Sequence, residues 1–225
     1  MTRRDIGAVL FDLDGTLADT APDLAGALNL LLAERGLPAV PIERLRPYAS
    51  AGALGLLRAG MGIGPDDAEF EMLRVRFLDL YTDNICVDTR LFPGMDQVLS
   101  QLEQRSTIWG IVTNKPARFT VPLIKALGLA ERTACVVSGD TTAYSKPHPA
   151  PLLHAAETLD LPPQACLYVG DDLRDVQAAH AAGMPVLAAA FGYLGDAGDP
   201  HVWGADAVID HPSEIMDFLR TNPVG

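Results

Sequence analysis

The sequence is short of cysteine, aromatic residues and basic residues. Its 225 residues include three cysteines, 6% aromatic residues, and 17 lysines and arginines against 29 aspartates and glutamates, for a net charge of -12. An odd number of cysteines without metal-ligand spacing excludes a disulfide framework and a cysteine-based zinc site. We interpret Cys86, Cys135 and Cys166 as core thiols in a reducing cytosol. The acid excess excludes nucleic acid and anionic membranes as partners, because a basic surface supplies most of the affinity for both.

Long apolar runs are also missing. Arg3 and Arg4 are followed by an acid and a short apolar run, which is not the pattern of a secretion signal, and no stretch is long enough for a transmembrane helix. We therefore predict a cytoplasmic protein. With 48% hydrophobic residues, the chain can bury a substantial core as one domain with an insertion or as two small domains.

The first motif with chemical content follows the apolar run at residues 8–11, which is typical of a parallel strand buried on both faces. Asp12 comes where this strand leaves the core, and a carboxylate there can attack phosphorus to form an aspartyl-phosphate. Asp14 projects from the same side of the extended chain and can act as the acid and base. Gly15 permits a sharp turn that brings amides near an anion, and Thr16 adds a hydroxyl donor. The alternative is an ordinary Asp-Gly turn capped by Asp12.

A second acidic motif follows the apolar run at residues 166–169. Gly170 and Asp171 end this strand, and Asp175 falls in the first turn of a predicted helix. Carboxylates are the ligands that Mg²⁺ prefers, since it takes one or two of them together with substrate phosphate. The alternative is that Asp171, Asp172 and Asp175 cap the helix and interact with its dipole.

Two further segments complete a predicted phosphate site. Thr113 and Asn114 follow the apolar run at residues 107–112 and precede a helix start, so a hydroxyl, an amide and helix N–H groups would form an anion cradle. Lys146 lies in a loop stiffened by prolines, where its ammonium would offset the crowding of the first motif's two carboxylates and the phosphate. An ordinary helix cap and a solvated surface lysine are the alternatives.

Strand-like and helical patterns alternate along the chain, which predicts an α/β fold with a parallel sheet and helices on both faces. The strand-like runs cover residues 8–11, 108–112, 134–137, 167–169 and 186–190. Residues 22–81 show helical periodicity and no strand. We therefore predict a helical cap over residues 17–87, inserted after the first strand with hinges near residues 16–19 and 83–90, and a catalytic core formed by residues 1–16 and 88–225.

Together the four motifs resemble those of haloacid dehalogenase superfamily phosphatases, in the same order and over essentially the whole chain. The resemblance implies a Rossmann-like core in which Asp12 is the nucleophile and Asp14 the general acid and base. It also implies a Mg²⁺ ion held by Asp12, the backbone carbonyl of Asp14 and Asp171, with Asp172 and Asp175 behind these ligands. The implied phosphate-binding residues are Gly15, Thr16, Thr113, Asn114 and Lys146, of which Thr113 and Lys146 are also catalytic.

Within that family the chain is similar to phosphoglycolate phosphatases and, more closely, to bacterial N-acetylmuramic acid 6-phosphate phosphatases of cell-wall recycling. The shared phrases include residues 32–38, 109–119 and 168–175, whereas residues 48–53 depart from both groups. We expect a phosphatase of a small phosphorylated metabolite, with the muramic acid ester placed before phosphoglycolate, acting as a monomer or homodimer.

Two alternatives from other classes remain: a phospho-accepting receiver domain and a phosphate-binding scaffold without turnover. A receiver would carry its phosphoacceptor after a middle strand, whereas the Asp-x-Asp motif here follows the first. Candidate substrate contacts in the cap are Arg46, Ser50, Arg58 and Arg74, although surface solvation is the simpler explanation for any one of them.

Overall fold

The structure, a computed structural model, describes residues 6–221. Arg3, Arg4 and the rest of residues 1–5 and 222–225, which belong to the predicted core, lie outside the described residues. Six parallel strands form the main sheet: β1 (Ala8–Phe11), β4 (Ile108–Val112), β5 (Val136–Val137), β6 (Cys166–Gly170), β7 (Val186–Ala189) and β8 (Ala207–Ile209). Their order across the sheet is β5-β4-β1-β6-β7-β8.

The central strand shows why its sequence is apolar without alternation. Val9 and Phe11 pack into one hydrophobic cluster, and Ala8 and Leu10 pack into a second cluster on the opposite face of the sheet. All four residues are fully buried. A strand covered on both faces needs apolar residues at every position, and the predicted α/β class is confirmed.

Helices cover both faces of the sheet. The buried aliphatic and aromatic residues of α5 (Met95–Gln104), α6 (Ala117–Ala126) and α9 (Glu214–Thr221) belong to the cluster of Val9 and Phe11. Those of α7 (Ala150–Thr158) and α8 (Leu173–Ala182) belong to the cluster of Ala8 and Leu10. The connections between parallel strands therefore cross on both sides, as in doubly wound sheets.

A helical insert lies between β1 and α5. It contains α1 (Ala21–Glu34), α2 (Ile42–Leu45), α3 (Gly52–Met61) and α4 (Phe70–Asp83), with a 3₁₀ turn at Arg46–Ala51. Two short antiparallel strands, β2 (Ala18–Asp19) and β3 (Arg90–Leu91), join it to the sheet. The sequence suggests neither strand, because two residues are too few to show periodicity.

The second connection of the insert is anchored by Asp23. This carboxylate is 4% exposed and accepts hydrogen bonds from the backbone N–H groups of Val87, Asp88 and Thr89 and from the Thr89 hydroxyl. The two ends of the insert are thus tied together beside β2 and β3. Over residues 6–221, no helix combines the length and hydropathy that crossing a bilayer requires.

Candidate active site

The site lies where β1, β4 and β6 end, at the edge of the sheet where ligands of open parallel sheets bind. β1 pairs with β4 on one side and with β6 on the other, so the loops that follow these three strands are neighbours. This topology brings Asp12, Thr113 and Asp171 to one edge, although 101 and 159 residues of chain separate Asp12 from the other two.

Asp12 and Lys146 form the buried centre of the site. The Lys146 Nζ lies 3.0 Å from Asp12 Oδ1 and 2.7 Å from Asp175 Oδ1. Burial raises the pKa of Asp12 to about 7, against the lowering effect of the Lys146 ammonium. Burial by itself lowers the pKa of Lys146, but the two carboxylates outweigh it and the net pKa is raised. The lysine therefore stays charged and favours the ionised form of Asp12.

Asp171 completes an acidic cluster with Asp12 and Asp175. One carboxylate oxygen from each of the three buried side chains lies within 4.8 Å of the others. Asp171 has no cation partner among residues 6–221; it accepts hydrogen bonds from the Thr16 hydroxyl at 2.8 Å and the Tyr193 backbone N–H at 2.9 Å. Burial raises its pKa well above the ordinary value, and the Asp12 and Asp175 charges add to this effect. Three buried carboxylates with one ammonium fit a hard divalent cation in both charge and donor type.

Two glycines allow this close packing. A Cβ on Gly15 would lie 2.1 Å from Asp171 Oδ2, and a Cβ on Gly192 would lie 2.2 Å from Asp171 Cβ. Gly15 also has a positive φ of 89°, which other residues adopt at a cost. The predicted turn at Gly15 is thus the point where the first loop passes directly beside the second acidic motif.

Asp14 has a lysine of its own, which the sequence interpretation missed. The Lys115 Nζ lies 2.9 Å from Asp14 Oδ1, and the Thr20 hydroxyl donates to the same oxygen at 2.5 Å. The ion pair of Lys146 is with Asp12, whereas the direct cationic partner of Asp14 is Lys115. Lys115 directly follows Thr113 and Asn114, so its place in that motif was an available signal. Burial lowers its pKa, but Asp14 outweighs this and the net pKa is raised.

Three residues predicted to bind phosphate also hold neighbouring groups. The Thr16 hydroxyl is fully buried and donates to Asp171, while the Thr113 hydroxyl accepts from the Lys115 backbone N–H at 3.1 Å. The Asn114 amide donates to the Lys146 carbonyl and accepts from the Lys146 N–H, both at 2.9 Å. Asn114 therefore fixes the loop that carries Lys146.

The helix-capping alternative holds for part of the second acidic motif. The Asp172 side chain accepts from the Arg174 N–H, and the Asp175 side chain accepts from the Asp172 N–H, which is a reciprocal capping box. Asp171 has no part in the capping box. Asp175 belongs both to the capping box and to the acidic cluster, since one oxygen caps α8 and the other pairs with Lys146.

The helical insert and the loop after β7 also reach the site. The Ser50 hydroxyl donates to Asp171 Oδ2 at 3.2 Å, and Arg174, paired with Asp172, donates to the Ser50 carbonyl at 3.2 Å. Tyr193 is 4% exposed, and its hydroxyl donates to Asp19 and accepts from the Ala21 N–H. Tyr193 lies in the loop that follows β7. A buried tyrosine hydroxyl needs such partners, but the sequence does not show which they are.

A cavity of about 350 Å³ opens beside these groups, between the sheet edge and the helical insert. Its polar end includes Asp12, Asp14 and Lys146. Of the cap residues proposed from the sequence, Ser50 and Arg74 line it, whereas Arg46 pairs with Asp19 and Arg58 is not part of the lining. Apolar walls are supplied by Leu24, Leu54, Phe77, Leu78, Tyr81 and Phe119.

Comparisons with known proteins agree with this architecture. Residues 9–189 match the model of a family described as haloacid dehalogenase-like hydrolase. The chain is 45% identical over 212 residues to an N-acetylmuramic acid 6-phosphate phosphatase of Pseudomonas putida, covering 94% of this chain and 95% of that protein. It is 44% identical over 211 residues to a phosphoglycolate phosphatase of Xanthomonas campestris pv. campestris, covering 93% and 95%.

A solved structure gives the same result at the level of the fold. The crystal structure of a predicted phosphoglycolate phosphatase from Haemophilus somnus 129pt has a TM-score of 0.82 and 28% sequence identity, covering 97% of this chain and 99% of that chain. The similarity therefore includes the helical insert as well as the sheet.

Proposed function

Because this chain belongs to the haloacid dehalogenase-like hydrolases, we propose that it hydrolyses N-acetylmuramic acid 6-phosphate, as the name of its Pseudomonas putida relative states for that protein. The chain is a phosphoric monoester hydrolase, since its relatives over nearly the whole length are phosphatases. The specific substrate is the proposal. The observation that carries it is a cavity with apolar walls that extends well beyond the carboxylate cluster.

In the first step of the proposed mechanism, Asp12 attacks the phosphorus atom of the ester. A bond forms between its carboxylate oxygen and phosphorus while the bond to the ester oxygen breaks, and Asp14 gives a proton to the departing alcohol. The Lys146 ammonium, 3.0 Å from Asp12 Oδ1, keeps the attacking carboxylate ionised and offsets the charge of the phosphate.

In the second step, water attacks the aspartyl-phosphate. Asp14, now ionised, takes a proton from the water, and Asp12 leaves as a free carboxylate together with inorganic phosphate. The Lys115 ammonium, 2.9 Å from Asp14 Oδ1, holds that side chain in place through both steps. The acid of the first step is thereby the base of the second.

The acidic cluster supports a divalent metal ion, which we propose to be Mg²⁺. Asp12 and Asp171 of this cluster would hold it together with the backbone carbonyl of Asp14, which lies beside Asp171 because the Ser50 hydroxyl contacts both. Asp175, the third acid of the cluster, is paired with Lys146, and Asp172 with Arg174. When bound, the ion supplies positive charge that favours the ionised form of Asp12 and neutralises phosphate oxygens.

The size of the cavity favours the larger of two candidate substrates. A volume of about 350 Å³ falls in the range of about 300–1,000 Å³ typical of small-molecule sites, and its apolar walls suit the body of a sugar derivative. Phosphoglycolate, a two-carbon acid phosphate, would leave most of this space to water. It remains the second candidate because the Xanthomonas campestris relative carries that name.

We propose that residues 17–87 act as a cap that closes over the site. Support comes from Ser50, whose hydroxyl reaches Asp171 from the insert, and from the two-strand connection at both of its ends. Closure would exclude bulk water from the first step. We also propose a cytoplasmic location, which the three free cysteines support.

The experiment that tests the proposal compares kcat/KM for N-acetylmuramic acid 6-phosphate, phosphoglycolate and hexose 6-phosphates with Mg²⁺ present. Efficiency decides specificity among competing substrates. Asp12→Asn should abolish phosphate release while leaving the fold intact. Asp66→Asn, a matched change at an exposed loop position, should retain it.

Three results would contradict parts of the proposal. A higher efficiency on phosphoglycolate would replace the substrate but keep the mechanism. Retained turnover in Asp12→Asn would mean that the nucleophile is misassigned. Stable phosphorylation of Asp12 without phosphate release would favour the receiver-type alternative.

A further inference from the structure

The cavity is lined by five cationic side chains, and four of them are paired with acids. In each pair a nitrogen lies 3.0 Å or less from a carboxylate oxygen. These four charges are therefore already balanced by the protein. The pairs are Lys146 with Asp12 and Asp175, Lys115 with Asp14, Arg174 with Asp172, and Arg74 with Glu71.

Arg118 is the fifth cation, and within residues 6–221 it has no acidic partner. Its guanidinium carbon lies 4.5 Å from the centroid of the Phe119 ring, which is the contact that holds it against the cavity wall. The side chain is exposed. A guanidinium that lines a cavity and has no carboxylate partner can donate hydrogen bonds from its five N–H groups to an anionic group of a ligand.

The dipole of α6 gives no reason for a cation at the position of Arg118. This arginine is the second residue of α6, at the end where the helix dipole is positive and where a cation is unfavourable. The Asp140 carboxylate already accepts a hydrogen bond from the Ala117 N–H at this helix end, so the attraction for a further anion comes from the guanidinium.

We propose that Arg118 is a specificity-determining residue that binds a second anionic group of the substrate, a carboxylate, at the opposite end from the phosphate. This rests on the proposed function and deepens it: the substrate class is a phosphate monoester that also carries a carboxylate. Both substrates named for the relatives have this chemistry, through the lactyl group of muramic acid and the acid group of glycolate.

The test compares two sugar phosphates that differ in this one group. N-acetylmuramic acid 6-phosphate carries a lactyl ether with its carboxylate, and N-acetylglucosamine 6-phosphate is the same sugar with a hydroxyl in place of that ether. For Arg118→Gln we expect kcat/KM on N-acetylmuramic acid 6-phosphate to fall about ten- to a hundredfold, mainly through a higher KM, because a charge-assisted hydrogen bond is lost. On N-acetylglucosamine 6-phosphate we expect kcat/KM to change by less than about threefold. Arg118→Lys should restore part of the loss.

The control is Arg105→Gln, a change at an exposed arginine outside the cavity lining, which should leave kcat/KM unchanged for both substrates. If wild type acts equally well on both sugar phosphates, or if Arg118→Gln lowers both alike, the inference is overturned while the phosphatase assignment stands. If phosphoglycolate proves to be the better substrate, phosphoglycolate and ethyl phosphate form the corresponding pair. Binding of the same esters to Asp12→Asn protein, with and without Arg118→Gln, gives the answer independently of turnover.

Discussion

Replacement of Lys146 by Met tests the electrostatic design of the site most directly. The lysine side chain is 2% exposed and lies between Asp12 and Asp175, at 3.0 and 2.7 Å. Methionine fills a similar volume but leaves two buried carboxylates without their cation. Breaking a buried ion pair in this way costs about 3–5 kcal/mol. We therefore expect the free energy of unfolding in EDTA at pH 8 to fall by this amount.

The same change should depend on pH and on metal. Burial already raises the pKa of Asp12 to about 7, and removal of the ammonium raises it further. At pH 5 protonation of Asp12 relieves the repulsion, so the loss in Lys146→Met should be smaller than at pH 8. Millimolar Mg²⁺ should recover part of the loss at pH 8, because a bound cation replaces the missing charge.

Urea unfolding followed by the fluorescence of the buried Trp109 measures these differences. Lys125→Met, an exposed lysine on α6, is the matched control and should stay within about 0.5 kcal/mol of wild type. The double variant Lys146→Met with Asp175→Asn should regain stability, because one of the uncompensated charges is gone. A loss of less than about 1 kcal/mol for Lys146→Met at pH 8 would refute the reasoning, since a buried cluster in need of the cation cannot lose it so cheaply.

Two further predictions concern the acidic cluster of Asp12, Asp171 and Asp175 and its packing. The folded-state pKa of Asp12 is raised from 3.8 to about 7, so its contribution to stability is present below pH 3.8 and is lost as the pH rises through 7. Metal-free wild type should therefore melt at a lower temperature at pH 8 than at pH 5, and Mg²⁺ should reduce this difference in melting temperature. If Asp12→Asn protein shows the same difference between the two pH values as wild type, the prediction is contradicted. Gly15→Ala should lower the free energy of unfolding by about 1–3 kcal/mol and weaken Mg²⁺ binding measured by calorimetry, because its Cβ would lie 2.1 Å from Asp171 at a positive φ. Gly26→Ala, on an exposed face of α1 with no atom within 4 Å, should instead stabilise by about 0.5–1 kcal/mol.

Local pattern was sufficient for the sheet and for the order of its motifs. Residues 8–11 and 166–169 carry no polar side chain that could face water, apart from the Tyr168 hydroxyl, so their burial on both faces follows from composition alone. The end of such a strand is where a polar residue first becomes possible, which is why Asp12 and Asp171 could be recognised. The predicted run at residues 134–137 is longer than β5, which covers Val136–Val137, but Ala134 and Cys135 already form backbone hydrogen bonds with Trp109 and Ile111 of β4.

Pairing between distant residues could not be predicted in this way. Lys115 and Lys146 both lie in loops that follow strands of the sheet, and only the folded chain decides that the first contacts Asp14 and the second contacts Asp12 and Asp175. The Tyr193 hydroxyl contacts Asp19 across 174 residues of sequence. No local signal marks such a contact, because its geometry depends on where every intervening strand and helix lies.

The amino-acid sequence by itself determined which reactive groups follow the buried strands, since carboxylates, hydroxyls and an ammonium are defined by side-chain type and by their place after a strand. The tertiary structure decided which of these groups neutralise one another and which are left for a ligand. The physical reason is that charge–charge energies depend on distance and burial, and both quantities are set only when the sheet and the insert pack together.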